Sequence, residues 1–440
     1  MRSRRKRAAL AVAAIATVLT VAACGSSNNN TPTNVAVPGV TASSITFGTH
    51  QPVTGPAAPG YSLIAPASQA YFDYVNANGG VYGRKIHLII KNDQYNPATT
   101  VTDVRQLVLS DNVFGIFEGL GTPTHEKVVP FLNAEKVPDM FIASGCPCWD
   151  NGTTQPYSFG WQPNYTIEGK ILGQYIAQNL KGEKVGVLYQ DDDFGGGGLA
   201  GIRDEVPAGD IVAAEPYQSG TTSLATQITA LKASGAKVLV EFTVPIYTAI
   251  ARLTSYTLGW NPQLVVSNVG IDPPTVSSLL AAVSKGKVSA TAGNALINGA
   301  ITDGYLPSFS DSANPWITLF KKILTQYDPK APWDGNTEYG IANAYTLVQA
   351  LEAAGKNLTR QGLVNAVDND GGKWTGPGIV PYRYSTSVHG GFGGVEMAKV
   401  VNGAIDPIGG PLVTEPTASS PITPYTTAQP APPTSGIPSP

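Results

Sequence analysis

The chain has 440 residues, of which 42% are hydrophobic and only 13% charged, and its formal net charge is −3. That composition belongs to a globular protein with room for two domains and excludes a disordered chain. The slight acidity, with no basic cluster beyond the first few residues, excludes nucleic acid as a partner.

The amino terminus reads MRSRRKRAALAVAAIATVLTVAAC, in which Arg2, Arg4, Arg5, Lys6 and Arg7 precede an apolar run from Ala8 to Ala23. A basic stretch followed by roughly 16 apolar residues is an export leader, short for a stable transmembrane span. Val21-Ala22-Ala23 runs directly into Cys24 and resembles the bacterial lipobox. That resemblance implies a signal peptide over 1–23, a lipid on the Cys24 thiol, and an extracytoplasmic protein anchored to the cell membrane. A polar segment over 24–43 then serves as a flexible tether.

Alternating short β-branched runs and helical faces follow. Strands are predicted at 44–50, 85–91, 113–119 and 139–144. Between them, Ile64, Ala67, Tyr71, Tyr74 and Val75 mark one helical face, and Val101, Val104, Leu107 and Val108 mark another. The pattern restarts with strands at 184–190, 210–216, 236–242 and 263–268, separated by helices at 198–206, 224–234, 246–258 and 274–283. Such alternation implies parallel sheets covered by helices on both faces. Helices at 315–327, 337–354 and 359–367 are too few for a third array and should complete the first two. The expected fold is therefore α/β, two doubly wound parallel-sheet lobes joined by a hinge. Lobe 1 takes 44–163 and 291–375, and lobe 2 takes 164–290 and 376–409. Residues 410–440, dominated by Pro, Thr and Ser, should form a disordered tail.

Open parallel sheets bind ligands beyond the carboxyl ends of their strands, so two facing lobes would enclose a cleft. Post-strand segments are then the candidate sites. In GLGTPTHEK, Thr122 and Pro123 suit an N-cap and first helical position, with Thr124 within reach. In DDDFGGGGLAG, Leu199-Ala200 stand where a phosphate loop needs Lys and Ser or Thr, and the oxygen spacing of a calcium loop is lacking. It reads as a solvated strand-to-helix loop. His50, His87, His125 and His389 are scattered, without metal-ligand spacing, and no nucleophile elbow occurs. No catalytic residue, metal or cofactor is expected.

SGCPCWDNG, Ser144 to Gly152, holds Cys146 and Cys148. Two thiols cannot complete a zinc site. In an exported domain they can form a disulfide, remain as free structural thiols, or act as a redox pair. Trp149 behind them is a candidate apolar lip over the ligand.

ITFGTHQPVTGPAAPGY, YFDYVNANGGVYGRKIHLIIKND, GLGTPTHEKVVPFLNAEKVPDMFIASG, VGVLYQDDDFG and LGWNPQLVVSNVG, in that order, resemble the Leu/Ile/Val-binding type of ABC-transporter solute-binding protein. The resemblance covers 44–290 by motif and the remainder by helical pattern. It implies a type I periplasmic-binding fold, ligand capture by hinge closure, and delivery of the ligand to permease subunits by a monomer. It also implies a ligand carboxylate held by Thr122 with Thr124 nearby, and by Ser144 and Gly145. Thr54 and Tyr61 would lie in the loop that packs on the ligand. Phe194 and Val244 match or stand near aromatic positions of the family's cage. Asn268 falls where the family has the glutamate that holds the ligand's ammonium. An asparagine cannot make that charge-assisted bond, and burying an ammonium without an acid is costly. Glu241 is the nearest substitute in sequence. The expected ligand is a small carboxylate: a branched-chain amino acid or, given Asn268, a related apolar acid or amide. A lipid-anchored sensor coupled to a membrane kinase would use the same cleft, and a surface adhesin would use the tail and no cleft.

Overall fold

The computed structural model describes residues 36–439, so the leader and Cys24 lie outside the described residues. The first lobe contains strands β1 (Ser44–Gln51), β2 (Lys85–Asn92), β3 (Gly115–Phe117), β4 (Asp139–Ile142) and β5 (Ser158–Gly160). The second contains β6 (Val185–Gln190), β7 (Ile211–Tyr217), β8 (Val238–Phe242), β9 (Gln263–Val266) and β10 (Ile301–Gly304). It is extended by β11 (Gly394–Val401), β12 (Ala404–Pro407), β13 (Leu412–Val413) and β14 (Thr423–Pro424).

The first sheet runs β2-β1-β3-β4-β5 and the second runs β7-β6-β8-β9-β10 before continuing to β11, β13 and β14. The two orders repeat one permutation, parallel throughout, and β11 joins antiparallel. In each lobe the order reverses between two neighbouring strands, β1 and β3 or β6 and β8. That is where an open sheet leaves a crevice. Central strands such as Val238–Phe242 are buried along their whole length, as parallel strands covered on both faces must be.

Three chain crossings join the lobes, and each carries one large aromatic. Trp161, Tyr305 and Phe392 pack together with ring centroids 5.3 to 5.8 Å apart. This places the crossings near 161–164, 304–308 and 391–394, which corrects two lobe boundaries. β10 pairs with β9, so 291–304 belongs to the second lobe and not the first. Residues 376–393 stay with the first lobe, where Tyr384 packs on Phe141 and Phe159 and Val388 bridges Asn151.

The helices Tyr165–Asn179 and Asp193–Glu205 meet backbone to backbone. A Cβ on Gly201 would lie 2.3 Å from the Thr166 carbonyl oxygen, and one on Gly169 would lie 2.3 Å from that of Gly198. The glycine run of DDDFGGGG is thus helical from Asp193 rather than a solvated loop. Asp192 caps it by accepting from the Phe194 and Gly195 amides.

The tail is also corrected, because it folds onto the lobes. β13 pairs with β11, and the buried Lys170 ammonium donates to the carbonyls of Thr417 (2.6 Å), Ser420 (2.7 Å) and Glu415 (3.3 Å) and to Thr414 Oγ1 (3.2 Å). Further on, Trp316 Nε1 donates to the Pro430 carbonyl at 2.7 Å and the Tyr71 hydroxyl to the Gly436 carbonyl at 2.9 Å. Composition implied disorder because the segment has few apolar residues of its own. Proline-rich chain, however, loses little entropy on ordering, and here the lobes supply the partners. Among the described residues no helix is long and apolar enough to cross a membrane.

Candidate functional site

The crevices of the two sheets face each other across a cavity of about 180 Å³. Of the residues singled out from sequence, Tyr61, Thr122, Phe194, Val244 and Asn268 line it. Ser144 stands one bond behind, with its Oγ 2.7 Å from Thr122 Oγ1. Thr122 is not the N-cap; Gly121 holds that position with φ 99°, and the ring of Tyr95 lies where its Cβ would be. The other three are structural. The Thr124 hydroxyl donates to the Leu120 and Gly121 carbonyls, turning inward. Gly145 lets the chain pass the Pro163 carbonyl, which a Cβ would approach to 2.1 Å. Thr54 is exposed and pairs with Asn92 outside the cavity.

From Thr122 a chain of polar groups crosses the floor. Ser144 Oγ lies 3.3 Å from the Tyr165 hydroxyl, which accepts from Gln162 Nε2 at 3.3 Å, and Gln162 Oε1 accepts from the Tyr339 hydroxyl at 3.4 Å. Opposite stand apolar walls: Phe194 packs on Tyr165 with ring centroids 4.5 Å apart. The lobes also touch directly. The Tyr61 hydroxyl donates to the Val269 carbonyl (3.0 Å), the Gly335 amide to Asp272 (3.0 Å) and the Asn336 side chain to Thr275 (3.2 Å).

Asn268 does not stand alone: acids back it, though not the Glu241 that sequence offered as substitute. Its side-chain amide donates to Glu168 Oε1 at 3.0 Å and Asp303 Oδ2 at 2.9 Å, and its backbone amide donates to both carboxylates as well. Asp303 reaches the cavity wall. Burial, reinforced by the charge of Glu168, holds the Asp303 carboxyl well above the usual range. Burial also raises Glu168, opposed by hydrogen bonds from Ser267 and Asn268. A pair of acids that resists double ionisation becomes favourable once a cation arrives. Glu241, the substitute suggested by sequence, lies inside β8, fully buried and away from the cavity; its carboxyl is pushed up to about 8 by burial, against the pull of Arg252.

Behind the Gly119–Thr122 loop two of the four histidines scattered in sequence, His50 and His125, meet. His50 Nδ1 lies 2.8 Å from Asp93 Oδ2, His50 Nε2 lies 2.8 Å from His125 Nδ1, and His125 Nε2 lies 2.9 Å from Asp139 Oδ2. All four side chains are buried, and a Cβ at Gly119 would meet both rings. This chain of bonds fixes the loop that presents Thr122. Cys146 and Cys148 are joined by a disulfide near Asp193. With their sulfurs bonded to each other, this trio is not a cation site. Trp149 is not a lip; it is buried against Val129, Ile142 and the edge of His125.

Sequence reasoning missed Tyr95, Gln162, Tyr165, Asp303, Tyr305, Glu338 and Tyr339, which all line the cavity. Asp303 lies near the carboxyl end of the four-residue β10 and Tyr305 just after it, and Glu338 lies in the first turn of the helix Gly335–Ala354. A strand assignment at ITDG would have placed Asp303 and Tyr305 at the carboxyl end of a strand, where the cleft is expected.

A model of the periplasmic binding protein family matches residues 44–404. The Leu/Ile/Val-binding protein homolog 8 of Brucella abortus is 22% identical over 342 residues, covering 73% of this chain and 79% of that protein. Among solved structures, a branched-chain amino acid ABC transporter protein from Thermus thermophilus with bound valine superposes with a TM-score of 0.72 at 20% identity, covering 85% of this chain and 97% of that one. A fatty acid ABC transporter substrate-binding protein from Thermomonospora curvata gives a TM-score of 0.68 at 25% identity, covering 84% of this chain and 92% of that one.

Proposed function

Since the chain belongs to the periplasmic binding protein family of non-enzymatic solute binders, we propose that it is the extracytoplasmic substrate-binding component of an ABC importer. It captures a small ligand that carries a carboxylate and an ammonium, closes its lobes over it, and presents the closed form to permease subunits. One observation carries the reading: hydroxyls of the first lobe (Thr122, with Ser144 behind) and the acid-backed Asn268 of the second face one cavity. Only a molecule with both charges satisfies both walls. Relatives whose names refer to branched-chain amino acids support the ligand class. The adhesin alternative rested on a free tail, and the tail is packed on the lobes.

A thermal-shift panel of amino acids, short aliphatic and aromatic acids, and amides tests the reading. A ligand at 100 times its dissociation constant adds about 2.7 kcal/mol of stability. Thr122→Ala and Phe194→Ala should each weaken that ligand about tenfold or more, and Phe194→Ala should also cost about 3 kcal/mol of folding stability because its ring is buried. If no compound shifts the melting point, the binding function is refuted.

For the membrane anchor, Cys24 and the basic-apolar leader before it support a lipoprotein. Cys24→Ser should move the exported protein from the membrane fraction to the soluble fraction. Unchanged membrane retention would remove the lipid from the account.

A further inference from the structure

The charged side chains on the cavity wall are all acidic: Asp272, Asp303, Glu338 and Glu396, with no Lys, Arg or His among the lining residues. Three of these acids have other reasons to be where they are. Asp272 caps the helix Pro273–Val283 through Thr275 and accepts the Gly335 amide across the lobes. Asp303 is bonded to Asn268. Glu396 sits on β11, only partly buried.

Glu338 is different. Its side chain is 4% exposed, yet Oε1 has no hydrogen-bond partner among the described residues. Burial, together with the charges of Asp272 and Asp334, pushes its carboxyl well above the usual range, and no cation opposes the shift. Glu118 also has one free oxygen but its other accepts from the Ser68 hydroxyl at 2.7 Å, and Glu241, with neither oxygen bonded, lies inside a strand; of the three, only Glu338 lines the cavity. Glu338 instead sits in the first turn of a 20-residue helix, whose N-terminal dipole favours a negative charge there once a counter-charge is at hand. It lines the same cavity as Asp303 and Tyr305.

We propose that Glu338 forms a second acidic subsite, separate from the Asp303–Glu168–Asn268 cluster, which pairs with a cationic side chain of the ligand. The preferred ligand class is then an amino acid with a basic side chain rather than an aliphatic one. This inference rests on the interlobe cavity being the ligand site and deepens that reading. The physical reason is asymmetric: an aliphatic side chain would leave Glu338 without a partner, whereas an ammonium or guanidinium satisfies and ionises it.

The test is calorimetric titration with L-lysine, L-ornithine and L-arginine against L-norleucine, L-leucine and L-valine, on the unaltered protein, Glu338→Gln and Glu338→Met. The expected result is basic amino acids binding at least ~10-fold tighter than norleucine, with that preference lost in Glu338→Gln and reversed in Glu338→Met. Melting curves of each variant separate misfolding from lost recognition, and the two replacements, one polar and one apolar, guard against the failure of either. Tighter binding of leucine or valine than of lysine, or an unchanged lysine-to-norleucine ratio in Glu338→Gln, overturns the subsite and leaves the amino-acid-binding function standing. Absence of binding by every compound overturns both.

Discussion

Lys170→Ala should detach the C-terminal segment and lower folding stability by about 3–5 kcal/mol. The Lys170 ammonium is fully buried, and it is the donor that holds the carbonyls of Glu415, Thr417 and Ser420 together with Thr414 Oγ1. Hydrogen bonds from a charged donor are worth about 1.5–3 kcal/mol each, and acceptors left buried without a donor carry a desolvation cost of about 1–3 kcal/mol. Some of that is recovered as the freed segment is hydrated, which sets the lower end of the range. Guanidinium unfolding gives the stability change, and limited proteolysis shows whether cleavage shifts into 411–439. A silent substitution would mean that the segment does not brace the lobes in solution.

Gly201→Leu should cost at least about 3 kcal/mol, enough to prevent folding in a marginal background. Overpacking a core ordinarily costs about 1–3 kcal/mol because side chains shift to make room. Here the obstruction is backbone: the new Cβ would lie 2.3 Å from the Thr166 carbonyl oxygen and 2.5 Å from the Lys170 amide nitrogen. Relief requires the helices Tyr165–Asn179 and Asp193–Glu205 to move apart, and the second begins with cavity residues. Gly196→Ala is the control within the same glycine run. Nothing lies within 4 Å of its Cβ position, so it should gain roughly 0.5–1 kcal/mol from helix propensity. Thermal melts of the two variants would move in opposite directions, and equal shifts would contradict the packing.

The strand pattern was legible to within a few residues for β1, β2, β4 and β6 to β9, because each falls in an apolar run, mostly rich in β-branched residues, bounded by turn residues. β5 (SFG) and β10 (ITDG) carry only one or two apolar residues each, too few to stand out as a run, and β10 ends in Asp303-Gly304. Losing β10 moved a lobe boundary and also hid the acid that stands behind Asn268. Likewise His50 and His125 are 75 residues apart, and only the pairing of β1 with β3 brings them to 2.8 Å. The glycine run misled for a related reason. Helix propensity argues against it, whereas the close helix pair it permits is a tertiary gain that the local sequence does not display. Five of nine candidate residues line the cavity because post-strand position is readable. Thr54 and Thr124 met the same rule and point elsewhere, since the direction of a loop side chain depends on neighbours from distant segments, and Gly145 serves a close backbone passage instead.

The bonds from Tyr61 to Val269, from Gly335 to Asp272 and from Asn336 to Thr275 run between lobes and involve no ligand atom. They act as latches common to every cargo, so part of the free energy of closure is the same whatever is carried. Their strength therefore sets residence time more than selectivity: weakening a latch speeds escape for good and poor ligands alike and leaves their ranking untouched. Discrimination is left to the few groups that touch the cargo itself. A carrier of this design can be tuned for quick hand-over at its lobe edges while its choice of ligand is written separately in the cavity wall.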